Sequence, residues 1–126
     1  VADANGNALL VGSHTATGAQ YVDIARLTAT GAPDATFSSG RFASVETHGG
    51  PVGAAELADG RVVVWTAGGE LVAFASDGSV PKVQSLAVLG TVLTATLDSA
   101  QRLVVAGMMT ANPVDSEWFV RRYLLL

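Results

Sequence analysis

The apolar residues of this chain fall in short runs of about four to seven residues, rich in Val, Leu, Thr and aromatics, which is strand length. Ala8 to Val11, Tyr21 to Leu27, Phe42 to Val45, Val52 to Leu57 and Val62 to Thr66 form the first half of the series. Leu71 to Ala75, Ser85 to Val88, Val92 to Leu97, Leu103 to Ala106 and Trp118 to Leu124 form the second. Asn5-Gly6, Thr30-Gly31, Asp59-Gly60, Gly68-Gly69 and Asp77-Gly78 punctuate them, and residues of these types tolerate the positive φ of a tight hairpin. A helix wants a longer glycine-free stretch with a period near 3.6. Ala54 to Leu57 and Ala111 to Ser116 are too short for one, and Pro113 interrupts the second. The pattern predicts an all-β fold in a single domain, residues 1–126.

Two runs, Val62 to Trp65 and Leu103 to Ala106, are apolar without alternation. Such strands suit burial on both faces, as in stacked sheets. The chain also repeats itself. Asp3 to Gly12 lines up with Ala58 to Trp65 and with Asp98 to Gly107, and each copy is followed by a second strand: Tyr21 to Leu27, Glu70 to Phe74, Trp118 to Tyr123. The copies are spaced by about 55 and then about 41 residues, the period of four-stranded propeller blades. The approximate repeats are 1–51, 52–91 and 92–126.

The stretch Ile24-Ala-Arg26-Leu27-Thr-Ala-Thr-Gly31-Ala-Pro-Asp34-Ala-Thr-Phe37 resembles the delta-60 repeat, a bacterial β-propeller repeat. There an "ARL" strand runs into a Gly-x-x-Asp-x-x-Phe turn and is preceded by an Asp-x-x-Gly-Arg hairpin. Ala58-Asp59-Gly60-Arg61 and Asp98 to Gly107 match the hairpin part. The first copy is complete, whereas the second has Ala73 and Pro81 in place of the Arg and Asp and no aromatic after them; the third stops before the turn. The resemblance implies a propeller-type fold and a large exported or surface protein of bacteria, and it implies no activity. The residues themselves assign roles within the motif. Gly31 supplies the turn, Asp34 bonds backbone N–H groups two residues on, Phe37 plugs a gap between sheets, and Arg26 pairs with the Asp.

Counted outward from a propeller axis, the ten runs begin at a second strand and end at a third, about two and a half blades, whereas a closed ring has about four to eight. The expectations are therefore a segment of a longer polypeptide, one part of a ring completed by other chains, or a compact two-sheet β-sandwich. The opening at Val1 rather than Met fits a processed or excised piece.

Composition narrows the function classes. With 49% apolar residues, 14% charged and a net charge of −4 from one Lys and six Arg among the basic residues, the chain is neither disordered nor built to read phosphates. It has no Cys, which excludes disulfides, thiolate metal sites and a cysteine nucleophile. The greasiest window, Val83 to Leu97, is broken by Gln84, Ser85, Gly90 and threonines, so no membrane span is expected. Asp3-x-Asn5-Gly6-Asn7 has the oxygens that open a calcium loop but no carboxylate about nine residues on, so it reads as a turn. His14 and His48 lie far apart in expected turns, without a third ligand or a nucleophile elbow. Trp65 ends an apolar strand and belongs to the core. Trp118 begins a strand beside Asp115 and Glu117, in the loop of the third hairpin, and such an aromatic can stack on a sugar or sit at a rim.

The reading is a non-enzymatic binding or scaffold module of an exported or envelope protein. It acts through loops on one propeller face, Ser13 to Gln20 and Met108 to Glu117, with His14, Asp115, Glu117 and Trp118 as candidate binding residues. Its expected partners are other chains or further blades, with no nucleic acid, metal or cofactor. Alternatives are a carbohydrate-binding module or a subunit of an enzyme whose site lies in a propeller channel.

Overall fold

Five turns share one hydrogen-bonding scheme. In each, the first residue's N–H donates to the carbonyl of the fifth, and its own carbonyl accepts from the fourth: Asp3–Asn7, Thr28–Ala32, Leu57–Arg61, Ala75–Ser79 and Asp98–Arg102. The fourth residue must adopt positive φ, and four of the five are glycine: Gly6, Gly31, Gly60 and Gly78, at φ 78 to 85°. The fifth is Gln101, at φ 57°. This is the three-residue hairpin closed by a left-handed residue, and it recurs at the same place in all three repeats.

The computed structural model describes residues 2–3, 5–79, 82–86, 90–112 and 115–124. Ten strands follow in chain order: β1 (Ala8–Ala16), β2 (Ala19–Leu27), β3 (Ala43–Thr47), β4 (Pro51–Glu56), β5 (Val62–Thr66), β6 (Glu70–Phe74), β7 (Lys82–Ser85), β8 (Thr91–Leu97), β9 (Leu103–Asn112) and β10 (Asp115–Tyr123). They form three antiparallel sheets, β1-β2-β3, β4-β5-β6-β7 and β8-β9-β10, here called I, II and III. None closes into a barrel, and the class is all-β, sandwich-like or blade-like. Strand β4 lies against β1 on one side and β8 on the other.

Sheet II is the middle layer. Successive residues of a strand face opposite ways, so the run Val62-Val63-Val64-Trp65 supplies two cores. Val62 and Val64, with Val72 and Phe74, meet Leu9, Val22, Ile24, Phe37 and Ala43 of sheet I. Val63, Trp65 and Leu71 meet Val92, Leu103, Val105 and Phe119 of sheet III. All five residues of β5 are buried. That is the expected strand covered on both sides, and Trp65 is core as read.

The second unalternating run is different. Leu103 and Val105 are fully buried, but Val104 and Ala106 point away from sheet II and are half-buried, because no described sheet covers the far side of sheet III. The first and last hairpins also differ from expectation. Ser13 to Gln20 is a ladder, not a loop: β1 and β2 pair out to Ala16 and Ala19 across Thr17-Gly18. Both turn residues have positive φ, 50° and 81°, the two-residue turn that follows strand twist. Likewise β9 and β10 stay paired from Met108 to Asn112 and from Asp115 to Trp118. Beyond the core, Gly12 to Gly18 of the first ribbon is exposed on both faces, so apolar patterning does not mark it.

Candidate functional site

Between sheets I and II, the motif residues form a plug. The Arg26 guanidinium donates from Nε to Asp34 Oδ2 (2.7 Å), from Nη2 to Thr36 Oγ1 (3.1 Å) and from Nη1 to the Ser76 carbonyl on sheet II's turn (3.2 Å). Its Cζ lies 5.0 Å from the centre of the Phe37 ring. Asp34 accepts from the Thr36 backbone two residues on (2.9 Å) and from the Thr36 hydroxyl. These bonds, those from Thr36 first and that from Arg26 next, hold the Asp34 carboxyl down to about 2. Phe37 is fully buried against Gly78, where a side chain's Cβ would come within 2.9 Å of the ring. Every role assigned to Arg26, Gly31, Asp34 and Phe37 is realised, and Arg26 and Phe37 carry the motif across to sheet II.

Among the described residues, sheet II has no such plug toward sheet III. Ala73 stands where sheet I has Arg26, and the chain runs from the Gly78 turn into β7 without the excursion that carries Asp34 and Phe37. Pro81 lies outside the described residues. A depression of about 400 Å³ remains there, lined by Val63, Leu71, Ala73, Lys82 and Gln84 among others.

Each histidine pairs with a carboxylate. His48 sits in the connection from sheet I to sheet II, where its N–H and its ring Nδ1 both reach the buried carboxylate of Glu70, at 2.7 and 2.8 Å. That partner raises the His48 pKa above 6.5. His14 belongs to a strand rather than the expected turn. It stacks on Tyr21 (5.0 Å between ring centres) and places Nδ1 2.6 Å from Asp23 Oδ2. Ser44 pairs directly with Asp23, on the side away from His14. A nucleophilic triad needs the histidine in the middle, and here the carboxylate is. The described residues hold no cluster of three His, Cys, Asp or Glu that would bind a metal. The Asp3 to Asn7 stretch is the expected turn: both Asp3 oxygens are used internally, by the N–H groups of Asn5 and Asn7 and the Asn7 amide.

The candidate binding residues do not converge. Residues opposite one another in an antiparallel pair share a face. Trp118, opposite Met108, is on the far side of sheet III and is 72% exposed. Glu117, opposite Met109, points the other way. The Asp115 side chain lies outside the described residues, and His14 is on sheet I. Sequence reasoning missed a different feature, the two outer sheet faces. That of sheet III exposes Trp118 and Val120, at 72% and 71%, beside half-buried Val104, Ala106 and Met108. That of sheet I exposes Leu10 (51%), beside Ala25 and Leu27, with Phe42 (61%) at its edge. Between Leu10 and Phe42 runs a groove of about 270 Å³, whose lining includes Gly12, Asp23 and Ala25. The buried oxygen Oδ1 of Asp23 has no hydrogen-bond partner.

Comparison with protein-family models, with curated proteins and with solved structures returns no match for this chain.

Proposed function

We propose that this protein is a non-catalytic scaffold module, a stack of propeller-type blades that acts by presenting its outer sheet faces to further sheets. The observation that carries the reading is the contrast between layers. Each face of sheet II is buried under a neighbouring sheet, whereas sheets I and III leave comparable apolar faces open. Exposed apolar patches of this kind on an ordered β-layer serve association. The resemblance of Ile24 to Phe37 to the delta-60 repeat supports the propeller form and an exported or surface setting. The scatter of His14, Glu117 and Trp118 over different faces speaks for sheet faces rather than a loop-borne site.

The test separates an open face from a core. Trp118→Ser combined with Val120→Thr should leave stability within about 0.5 kcal/mol, as at exposed positions. Ile24→Ala, at the equivalent covered position, should cost about 2–5 kcal/mol. Fluorotryptophan NMR should give one solvent-broadened and one protected resonance. A large loss in the outer-face double variant, or two protected tryptophans in the monomer, would mean that the stack closes on itself and overturn the reading.

A further inference from the structure

The shared turns put the three repeats in register, so each outer face can be compared with a covered one. With Gly6, Gly60 and Gln101 aligned, Leu9, Val63 and Val104 are equivalent, as are Arg26, Ala73 and Arg122. The far face of sheet III is then the counterpart of the face that sheet I turns to sheet II. Val104, Ala106, Trp118, Val120 and Arg122 stand where sheet I has Leu9, Val11, Val22, Ile24 and Arg26. The outer face of sheet I is the counterpart of the face that sheet II turns to sheet I. Ala8, Leu10, Ala25 and Leu27 stand where sheet II has Val62, Val64, Val72 and Phe74. The chain's two open faces are therefore the two halves of an interface that it already makes internally.

We infer that the outer face of sheet III of one copy docks on the outer face of sheet I of a second copy, head to tail, repeating the contact between sheets I and II. Volume and polarity agree with this pairing. The sheet III face is larger at one position, Trp118 in place of Val22, while Val104, Ala106 and Val120 are smaller than Leu9, Val11 and Ile24; the sheet I face has shrunk, with Ala8, Ala25 and Gly12 in place of Val62, Val72 and Thr66. The groove between Leu10 and Phe42 lies on the shrunken face, and an indole is the side chain that the other face offers it. Asp23 aligns with Glu70, whose carboxylate receives two N–H donors from the chain segment leaving sheet I. Asp23 receives one, from His14, and its Oδ1 is buried without a partner. The docking face of sheet III brings the Trp118 indole N–H toward this carboxylate, while Arg122, the counterpart of Arg26, pairs with Asp98 at 3.4 Å. A face bearing Asp23 and Glu46 against one bearing Arg122 also matches in charge. Such a contact is heterologous: each copy keeps one free face of each kind, so the assembly grows to a ring or a chain of stacked sheets.

The inference rests on the reading that the outer faces are docking faces, and it adds the partner and the polarity. Its test uses two single-face variants of the full chain, Trp118→Asp and Leu10→Asp, checked by circular dichroism for retained folding. Trp118→Gln and Leu10→Gln replace any variant that fails that check. Light scattering should show wild-type mass rising with concentration above 12.8 kDa. Each variant alone should stay monomeric, because one half of the contact is gone. Their equimolar mixture should form a heterodimer of twice the chain mass, since one supplies the intact sheet I face and the other the intact sheet III face. Self-association of Leu10→Asp alone would mean that sheet III faces pair with each other, which overturns the polarity while the open-face reading stands. A wild-type chain monomeric at every concentration overturns the inference outright, and the stability and NMR test above then judges the open-face reading separately.

Discussion

Phe37 meets Gly78 at the point where the turn of sheet II closes on the plug of sheet I. Two neighbouring contacts hold the ring: the Ser38 N–H donates to the Asp77 carbonyl (2.7 Å), and the Arg26 guanidinium lies over the ring, 5.0 Å from its centre. Removing the ring empties a fully buried site whose walls, Val72 and Phe74 among them, belong to two sheets. Phe37→Ala should therefore cost about 3–5 kcal/mol in urea unfolding. Gly78→Ala adds two separate costs, a methyl pressed against the ring and a side chain at φ 78°. Only the first disappears when the ring does. A double-mutant cycle should give a coupling of about 1–2 kcal/mol, Gly78→Ala being milder in the Phe37→Ala background. Strict additivity would mean that backbone conformation alone explains the glycine and that the ring does not rest on it.

The turns show how one element is built from different residues and how much of that is written in sequence. Gln101 takes the left-handed position that glycine holds in the other four, at a cost of about 1–2 kcal/mol for a residue with a Cβ. In return its Oε1 accepts the N–H of Ala58 (2.8 Å), tying the turn of sheet III to that of sheet II, a bond worth about 0.5–1.5 kcal/mol. Gln101→Gly should thus change stability by less than about 1 kcal/mol, relief of strain offsetting the lost bond. Gln101→Ala keeps the strain and loses the bond, and should melt lower than both. An alanine variant as stable as wild type would show that the bond to Ala58 contributes nothing. Nine of the ten apolar runs became strands because alternation and turn chemistry act locally; the run Ser85 to Val88 shares only Ser85 with β7, and its last two residues lie outside the described ones. β7 begins three residues earlier than the run that marks it, since Lys82 to Ser85 is exposed and carries little apolar signal. The ribbon ends of β1 and β10 were hidden for the same reason, ladder bonds needing no apolar side chains. The plug was legible because its partners lie within one short motif, Arg26 to Phe37. The outer faces were not: Leu9, Leu10 and Val11 read alike, and only the stacking of sheets buries the first and exposes the second.

At the scale of the whole molecule, the middle sheet decides how the stack comes apart. Sheet II supplies one face to each of the two cores, so neither core can form without it, and neither outer sheet touches the other's core. The amides of β5 and β6 are hydrogen-bonded within the one four-stranded sheet and shielded on both faces. They should exchange only through global unfolding, while the ribbons from Gly12 to Gln20 and from Met108 to Asn112 exchange through local opening. The sharper consequence concerns coupling between the cores. Val64 faces sheet I, whereas Val105 of β9 lies in the other core. If sheet II makes the stack one cooperative unit, Val64→Ala, at about 1–3 kcal/mol, should lower the exchange free energies of Val64, Val72 and Val105 amides by equal amounts. Were the sheets independent layers, the loss would stop at β5 and β6 and leave Val105 unchanged. Residue-resolved native-state hydrogen exchange at low urea distinguishes the two, and equal losses on both sides are expected because a strand buried on both faces cannot lose one neighbour without exposing the β-layer that carries the other.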